Sequence, residues 1–193
     1  MSALIRTSLT HPLRIATIPI GKRGGGIGVT FAPGKRQEAA MTGIWARDLV
    51  ADLVSIVEWG ASDLITLLEP HEFGELEIPD LPTQARALGL RWYGLPITDG
   101  GAPDHRFLDL WTTLGPKLVS EIGGGARVVV HCKGGLGRAG TVACLLLLES
   151  GAASDADDAM LQVRAVRHGA IETSAQEAFL RAWPSPSFGT LIS

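Results

Sequence analysis

The chain reads as an α/β protein of three layers, a central and mostly parallel sheet of about five strands flanked by helices, and three observations point there. Apolar runs of strand length alternate with stretches of helical period, the rhythm of strand, helix and strand joined by right-handed crossovers. One run, Val128-Val129-Val130, is β-branched throughout, which suits a strand covered on both faces. The segment after Arg138, through Leu148, is apolar almost all round and so belongs at the centre of the core. At 193 residues a single domain, 1–193, is long enough to close one core.

Taken in order, residues 1–12 carry no period and are expected to form a loose lead-in. Residues 14–20 and 27–31 read as two strands of a hairpin around Gly21-Lys22-Arg23-Gly24-Gly25-Gly26. That loop is no phosphate cradle, because strand rather than helix follows it. Pro33-Gly34-Lys35 marks a turn. From Ile44 the period becomes helical, with Trp45, Leu49, Leu53, Ile56 and Val57 on one stripe, Arg47, Asp48, Asp52 and Glu58 opposite, and Gly60 as the cap. Residues 63–68 read as a buried strand, 69–82 as an irregular crossover, 83–88 as a short helix and 90–97 as the next strand. A helix over 104–122 places Phe107, Leu110, Trp111, Leu114 and Leu118 on one face, and Gly115-Pro116 is expected to kink or break it. Gly123-Gly124-Gly125 ends that helix and 126–131 is the strand that carries the valines. Ser154-Asp155-Ala156-Asp157 starts a helix to Arg167, Thr173-Ser174-Ala175-Gln176 is a capping box, and 184–193 is a surface tail.

Composition narrows the function. Hydrophobic residues make up 46% and charged ones 19%, which excludes a disordered chain, and a net charge of -3 gives no basis for nucleic acid or an anionic membrane as partner. Cys132 and Cys144 form no disulfide framework, and Cys144, inside the apolar helix, is a small core residue. The longest apolar run, 142–148, is far short of the roughly 20 residues that span a bilayer. The first twenty residues lack the pattern of a secretory leader. A soluble protein in the reducing cytoplasm is the expectation.

The chemistry concentrates in His131-Cys132-Lys133-Gly134-Gly135-Leu136-Gly137-Arg138. A strand ends at a thiol, a glycine-rich loop follows, and an arginine opens a helix. Such a loop turns successive N–H groups onto one point at a helix N-terminus, which is an anion site. A thiol there drops from about 8.5 to as little as ~3.5 and becomes a nucleophilic thiolate. An arginine fork grips two oxygens of a tetrahedral oxyanion and follows them as phosphorus becomes planar. Phosphoryl transfer to sulfur is the implied reaction. Neither cysteine has a thiol or histidine at zinc-finger spacing, so neither metal nor cofactor is expected.

His131-Cys132, five residues and Arg138 resemble the signature loop of the cysteine-dependent protein tyrosine and dual-specificity phosphatases. Pro96-Ile97-Thr98-Asp99-Gly100-Gly101-Ala102-Pro103-Asp104 and Gly134-Gly135-Leu136-Gly137-Arg138 further resemble the kinase-associated branch, over roughly residues 26–183. The resemblance implies a protein tyrosine phosphatase-like fold, Cys132 as nucleophile, and Lys133, Gly134, Gly135, Leu136, Gly137 and Arg138 around the phosphate. His131 would tune the thiolate. Asp99 matches the general acid, whereas Asp104, after Pro103, suits a helix start. Glu172 stands where tyrosine-specific members carry a water-positioning glutamine, with Gln176 nearby as a second candidate. Ala139 replaces the serine or threonine usual after the arginine. The implied partner is a phosphorylated protein or peptide, with inhibition by phosphate-like oxyanions. Three other readings stay open: a phosphatase for inositol lipids or nucleotides, a sulfur-transfer or arsenate-reducing enzyme, and a phosphate-binding module that has lost turnover.

Overall fold

The structure, a computed structural model, describes residues 5–40 and 43–184. Its elements are β1 (Ile5–Arg6), β2 (Ala16–Ile20), β3 (Gly25–Phe31), β4 (Arg36–Ala40), β5 (Gly43–Ala46), α1 (Leu49–Glu58), β6 (Asp63–Thr66), α2 (Pro70–Glu75), α3 (Leu81–Ala87), β7 (Arg91–Gly94), α4 (His105–Gly123), β8 (Arg127–Cys132), α5 (Gly137–Glu149), α6 (Ala156–Val166) and α7 (Ser174–Ala182). Five strands form the main sheet in the order β2-β3-β8-β6-β7, parallel except for the β2–β3 pair.

The valine run sits at the centre of this sheet, and its period of two divides the core. Val128, Val130 and Cys132 face α4, α5, α6 and α7, while Val129 faces α1 and α3. The same alternation sends Ile65 to the first side and Leu64 to the second. On the first side α5 is buried from Gly137 to Leu148, as its all-round apolarity requires. The helix starts follow the sequence: Asp48, Asp104, Asp155 and Thr173 each accept a backbone N–H in the first turn of the helix they open.

Several expectations are corrected. Ile5–Arg6 is not loose but pairs with β5, which with β4 makes a second, three-stranded sheet. Ile44 and Trp45 are therefore strand, and the helix begins only at Leu49. Asp52 and Arg47, assigned to a polar face, are buried against each other in a two-pronged ion pair at 2.7 and 2.8 Å. Residues 69–82 contain α2, and the strand expected over 90–97 is only β7. α4 runs unbroken through Pro116. Its buried residues Phe107, Trp111, Leu118 and Ile122 pack into the core on both sides of the proline, which offsets the roughly 3 kcal/mol that an interior proline costs. Gly115 stays side-chain-free because Trp111 Nε1 donates to Glu149 across that spot at 2.7 Å. The tail expected on the surface at 184–193 falls, beyond Pro184, outside the described residues.

Candidate active site

β8 delivers Cys132 to the carboxyl end of the sheet, residues 133–136 turn, and α5 opens at Gly137. Gly135 has φ +69°, and a Cβ there would collide with the Thr30 carbonyl, so the turn needs glycine. Arg167 braces the outside of the loop, donating from Nε to Gly135 O at 2.9 Å and from Nη2 to Gly134 O at 3.1 Å. In a trans peptide the N–H points opposite its C=O, so carbonyls tied outward leave the N–H groups of Gly135 and Leu136 turned inward. The Gly135 N–H indeed reaches the Cys132 sulfur at 3.2 Å.

Arg138 is buried and held from one side. Its Nη1 and Nη2 donate to the two oxygens of Glu72 at 2.6 and 2.9 Å, and Nη1 also reaches Leu67 O and Ile97 O. Burial opposes the charge on Glu72, but the Arg138 hydrogen bonds and the Glu69 amide hold its carboxyl below the ordinary range. Arg138 Nε is buried with no acceptor among the described residues. A donor left so costs about 1 to 3 kcal/mol, and this one lies on the arginine that opens the helix of an anion loop.

His131 is fully buried, and burial pushes its pKa down to about 4, so the ring is neutral at physiological pH. Its Nδ1 lies 3.4 Å from the Cys132 carbonyl, which only accepts, so Nδ1 carries the proton. Nε2 then accepts from Thr66 Oγ1 at 2.7 Å, and Thr66 in turn accepts from Trp92 Nε1 at 2.8 Å. The chain of donors ends on the backbone of the cysteine.

Asp99 follows β7 on an exposed loop, its side chain 65% accessible, with Oδ1 2.9 Å from Arg138 Nη2. Asp104 is spent elsewhere: it caps α4, and the Arg106 side chain holds its carboxyl below the usual range. The Asp99 loop is clasped by α7, since Thr173 Oγ1 donates to Gly100 O at 3.2 Å and Gln176 Nε2 to Gly101 O at 3.1 Å. Gln176 also completes its capping box, Oε1 accepting from Glu172 N and Thr173 N. Glu172 Oε2 accepts from the Gly137 N–H at 2.8 Å. A Cβ at Gly137 would stand 2.6 Å from that oxygen, so a side chain there would push the ends of Glu172 and Gln176 aside. Ile171 just before has φ +59°, a strained value for a β-branched residue, held by Arg164 donating to the carbonyls of Ala170 and Ile171. After Arg138, Ala139 offers no hydroxyl, and Thr141 Oγ1 donates to Gly137 O at 2.8 Å. The Lys133 ammonium faces Glu75 at 3.5 Å.

Cys132, Arg138, Asp99, His131 and Glu172 are thus brought together, with Gln176 behind them on the backbone. Sequence reading missed three members of this neighbourhood. Glu72 had a signal, since Glu69-Pro70-His71-Glu72 has the form of a helix start with an acid in its first turn. Arg167 had none. Nor did Lys35, a buried ammonium 4.2 Å from the Trp45 ring centre that reaches Lys133 O at 3.4 Å. Burial first, then the Arg47 charge, pushes its pKa down to about 8.

Comparison with known proteins agrees with this fold. Mouse cyclin-dependent kinase inhibitor 3 is 30% identical over 136 residues, 69% of this chain, and the chain spans 62% of that relative's length. The crystal structure of kinase-associated phosphatase with its catalytic cysteine changed to serine superposes with a TM-score of 0.75 at 24% identity, covering 88% of this chain and 92% of the other. A protein tyrosine phosphatase from Leishmania major gives 0.65 at 22% identity, over 89% and 99%. A family model, the DSP-PTPase phosphatase domain of Swiss Army Knife proteins, matches residues 41–180, and the chain belongs to that family.

Proposed function

We propose that the chain is a cysteine-dependent phosphomonoesterase acting on phosphorylated protein in the cytoplasm, and that one domain carries the whole reaction. In the first step the Cys132 thiolate attacks phosphorus. The S–P bond forms, the ester P–O bond breaks, and Asp99 gives its proton to the departing oxygen. In the second step water attacks the phosphocysteine. Its oxygen bonds phosphorus, the S–P pair returns to sulfur, and Asp99 takes the proton back. Arg138 and the loop amides hold the phosphoryl oxygens throughout. Neutral His131 fixes the Cys132 carbonyl, Glu172 lies beside the loop where it orients the water, and Gln176 positions the acid loop.

The single observation that carries this reading is Arg138, clamped through its Nη atoms by Glu72 while its buried Nε–H has no acceptor among the described residues. An oxyanion in the loop supplies one. The relatives named for kinases make a phosphorylated kinase segment the first substrate to try. The test is release of p-nitrophenol from p-nitrophenyl phosphate. Cys132→Ser should reduce it to a trace while still binding vanadate, and a Ser variant that keeps a substantial rate would remove covalent catalysis.

A second reading, a phosphate-binding module with little turnover, is favoured by one observation. No hydroxyl follows Arg138, and that of Thr141 is committed to Gly137 O. Binding of phosphopeptide without phosphate release would select it.

A further inference from the structure

The turn Pro33-Gly34-Lys35 delivers a lysine into the interior, and no step of the reaction above uses it. Its backbone is fixed on both sides: Lys35 N–H donates to Ala32 O at 3.4 Å, and Lys35 O accepts from Arg47 N–H at 3.3 Å. Gly34, at φ +72°, has no room for a Cβ against Leu49, and its N–H donates to Asp52 Oδ2 at 2.8 Å. The lysine is 5% exposed, its ammonium 4.9 Å from the Phe31 ring centre and 4.2 Å from that of Trp45. No carboxylate pairs with it among the described residues, and Asp52, the acid that reaches this turn, is taken up by Arg47 and Gly34. A buried ammonium without a counter-charge is costly, and a methionine would fill the space between two rings without that cost. The charge therefore has a use.

What the ammonium touches shows the use. Nζ donates to Lys133 O at 3.4 Å, and the Ala32 N–H donates to the same carbonyl. Lys133 directly follows the cysteine. With its carbonyl drawn outward, the N–H across the same trans peptide, that of Gly134, turns into the loop. Arg167 does the same for the next two peptides, so the lysine completes a set of inward N–H groups on Gly134, Gly135 and Leu136. Resting on the phosphatase reading above, we propose that Lys35 is a positioning residue whose charge holds the first peptide of the phosphate loop, so that the Gly134 N–H meets the bound oxyanion.

This hold depends on a proton. Burial first, then the Arg47 charge, with Arg167 and Lys133 adding to them and Cys132 opposing, bring the Lys35 pKa down to about 8. The charges that face the lysine are thus Arg47 ahead of α1, Cys132 at the end of β8, Lys133 in the loop and Arg167 past the end of α6, with Arg6 of β1 over the Trp45 ring. Lys35 is charged at neutral pH and neutral well above pH 8, where the amine is a weaker donor to Lys133 O.

The test is calorimetric binding of tungstate, a dianion throughout the range, to the Cys132→Ser protein at pH 7 and pH 9.5. Affinity should fall roughly 10-fold between the two, the effect of one charge-assisted hydrogen bond. Adding Lys35→Met should give the weaker affinity at both pH values, with thermal melting to show that the variant is folded. Lys35→Arg, which keeps its charge, should bind as tightly at pH 9.5 as at pH 7. Unchanged affinity in a folded Lys35→Met protein, or a pH dependence that survives that substitution, would overturn the role. Should Lys35→Met not fold, equal affinity at the two pH values with Lys35 in place would overturn it instead. Tungstate is not turned over, so an inactive wild type would sink the phosphatase reading and leave this comparison intact. A protein that binds no tungstate at pH 7 would overturn the anion loop and the role of Lys35 together.

Discussion

The two halves of the candidate active site are built to different standards. The half proposed to grip phosphate stands on β8 and α5. Cys132 ends the central strand, Arg138 is clamped by both oxygens of Glu72, and α5 is buried from Gly137 to Leu148. The half proposed to bring the proton is an exposed loop. Asp99 is mostly accessible, and its loop is clasped to α7 by the hydrogen bonds from Thr173 and Gln176. The difference teaches a division of labour. Charge stabilisation gains from groups that cannot relax, whereas an acid that must meet leaving groups of different shape gains from a loop that can shift.

The contrast is broken most directly at its exposed end. Asp99→Asn should lower turnover by roughly 10² to 10⁴ on an alkyl phosphate and much less on p-nitrophenyl phosphate, whose leaving group needs little protonation. Asp104→Asn should do little to either, and thermal melting of the Asp99 variant should match the wild type. If the two aspartates exchange effects, the acid loop has been read wrongly.

At the rigid end the same kind of substitution should cost stability. Glu72→Gln leaves the Arg138 charge buried with its main counter-charge gone, and breaking such a pair costs about 3 to 5 kcal/mol. Chemical denaturation should show that loss. An unchanged midpoint would mean that Asp99 alone neutralises Arg138, and the two halves would not be separate.

Acid should find the rigid half as well. The unfolded imidazole of His131 takes up its proton near 6.5, whereas the folded one resists until about 4. Between those values the unfolded chain binds more protons, so stability is lost as pH falls through the window. The loss is roughly 3 kcal/mol at about 1.36 per pKa unit. Denaturation midpoints from pH 7 to pH 4 should show that slope in the wild type and a shallower one in His131→Gln.

The smallest effect sharpens the comparison inside the rigid half. In the second step proposed above sulfur leaves as a thiolate, and with Ala139 in place and Thr141 bound to Gly137 O no hydroxyl among the described residues donates to it. One such donor to a charged group is worth about 1.5 to 3 kcal/mol, or ~10- to 100-fold in rate. Rapid mixing with an aryl phosphate should give a burst equal to the enzyme concentration, and Ala139→Ser should raise the steady rate. No burst, with no gain in the Ser variant, would place the slow step elsewhere.

What the sequence made legible was local. The loop from His131 to Arg138 declared itself because strand, glycines and helix start lie within eight residues, and caps such as Asp48 and Thr173 are decided within one turn. What escaped depends on partners far along the chain. Ile44 and Trp45 fit a helical stripe, but β1 and β4 claim them for a sheet. Asp52 looked like a surface acid until Arg47, in the extended segment before the helix, turned back onto it. Glu72 sits 66 residues from the arginine it holds. Pro116 was read by propensity alone, and tertiary packing overrode it.

The burial of α5 has a further consequence, for hydrogen exchange and for how activity is lost. Amides in its middle turns are covered by β3, β8, α4, α6 and α7, so no small opening exposes them. They should exchange only through global unfolding, with the full unfolding free energy as their protection. Because the phosphate loop is the entry to that helix, binding of a phosphate mimic should vanish at the same denaturant concentration at which the core melts. The exposed Asp99 loop should fall in the other regime, where exchange proceeds through local excursions that leave the rest of the molecule intact.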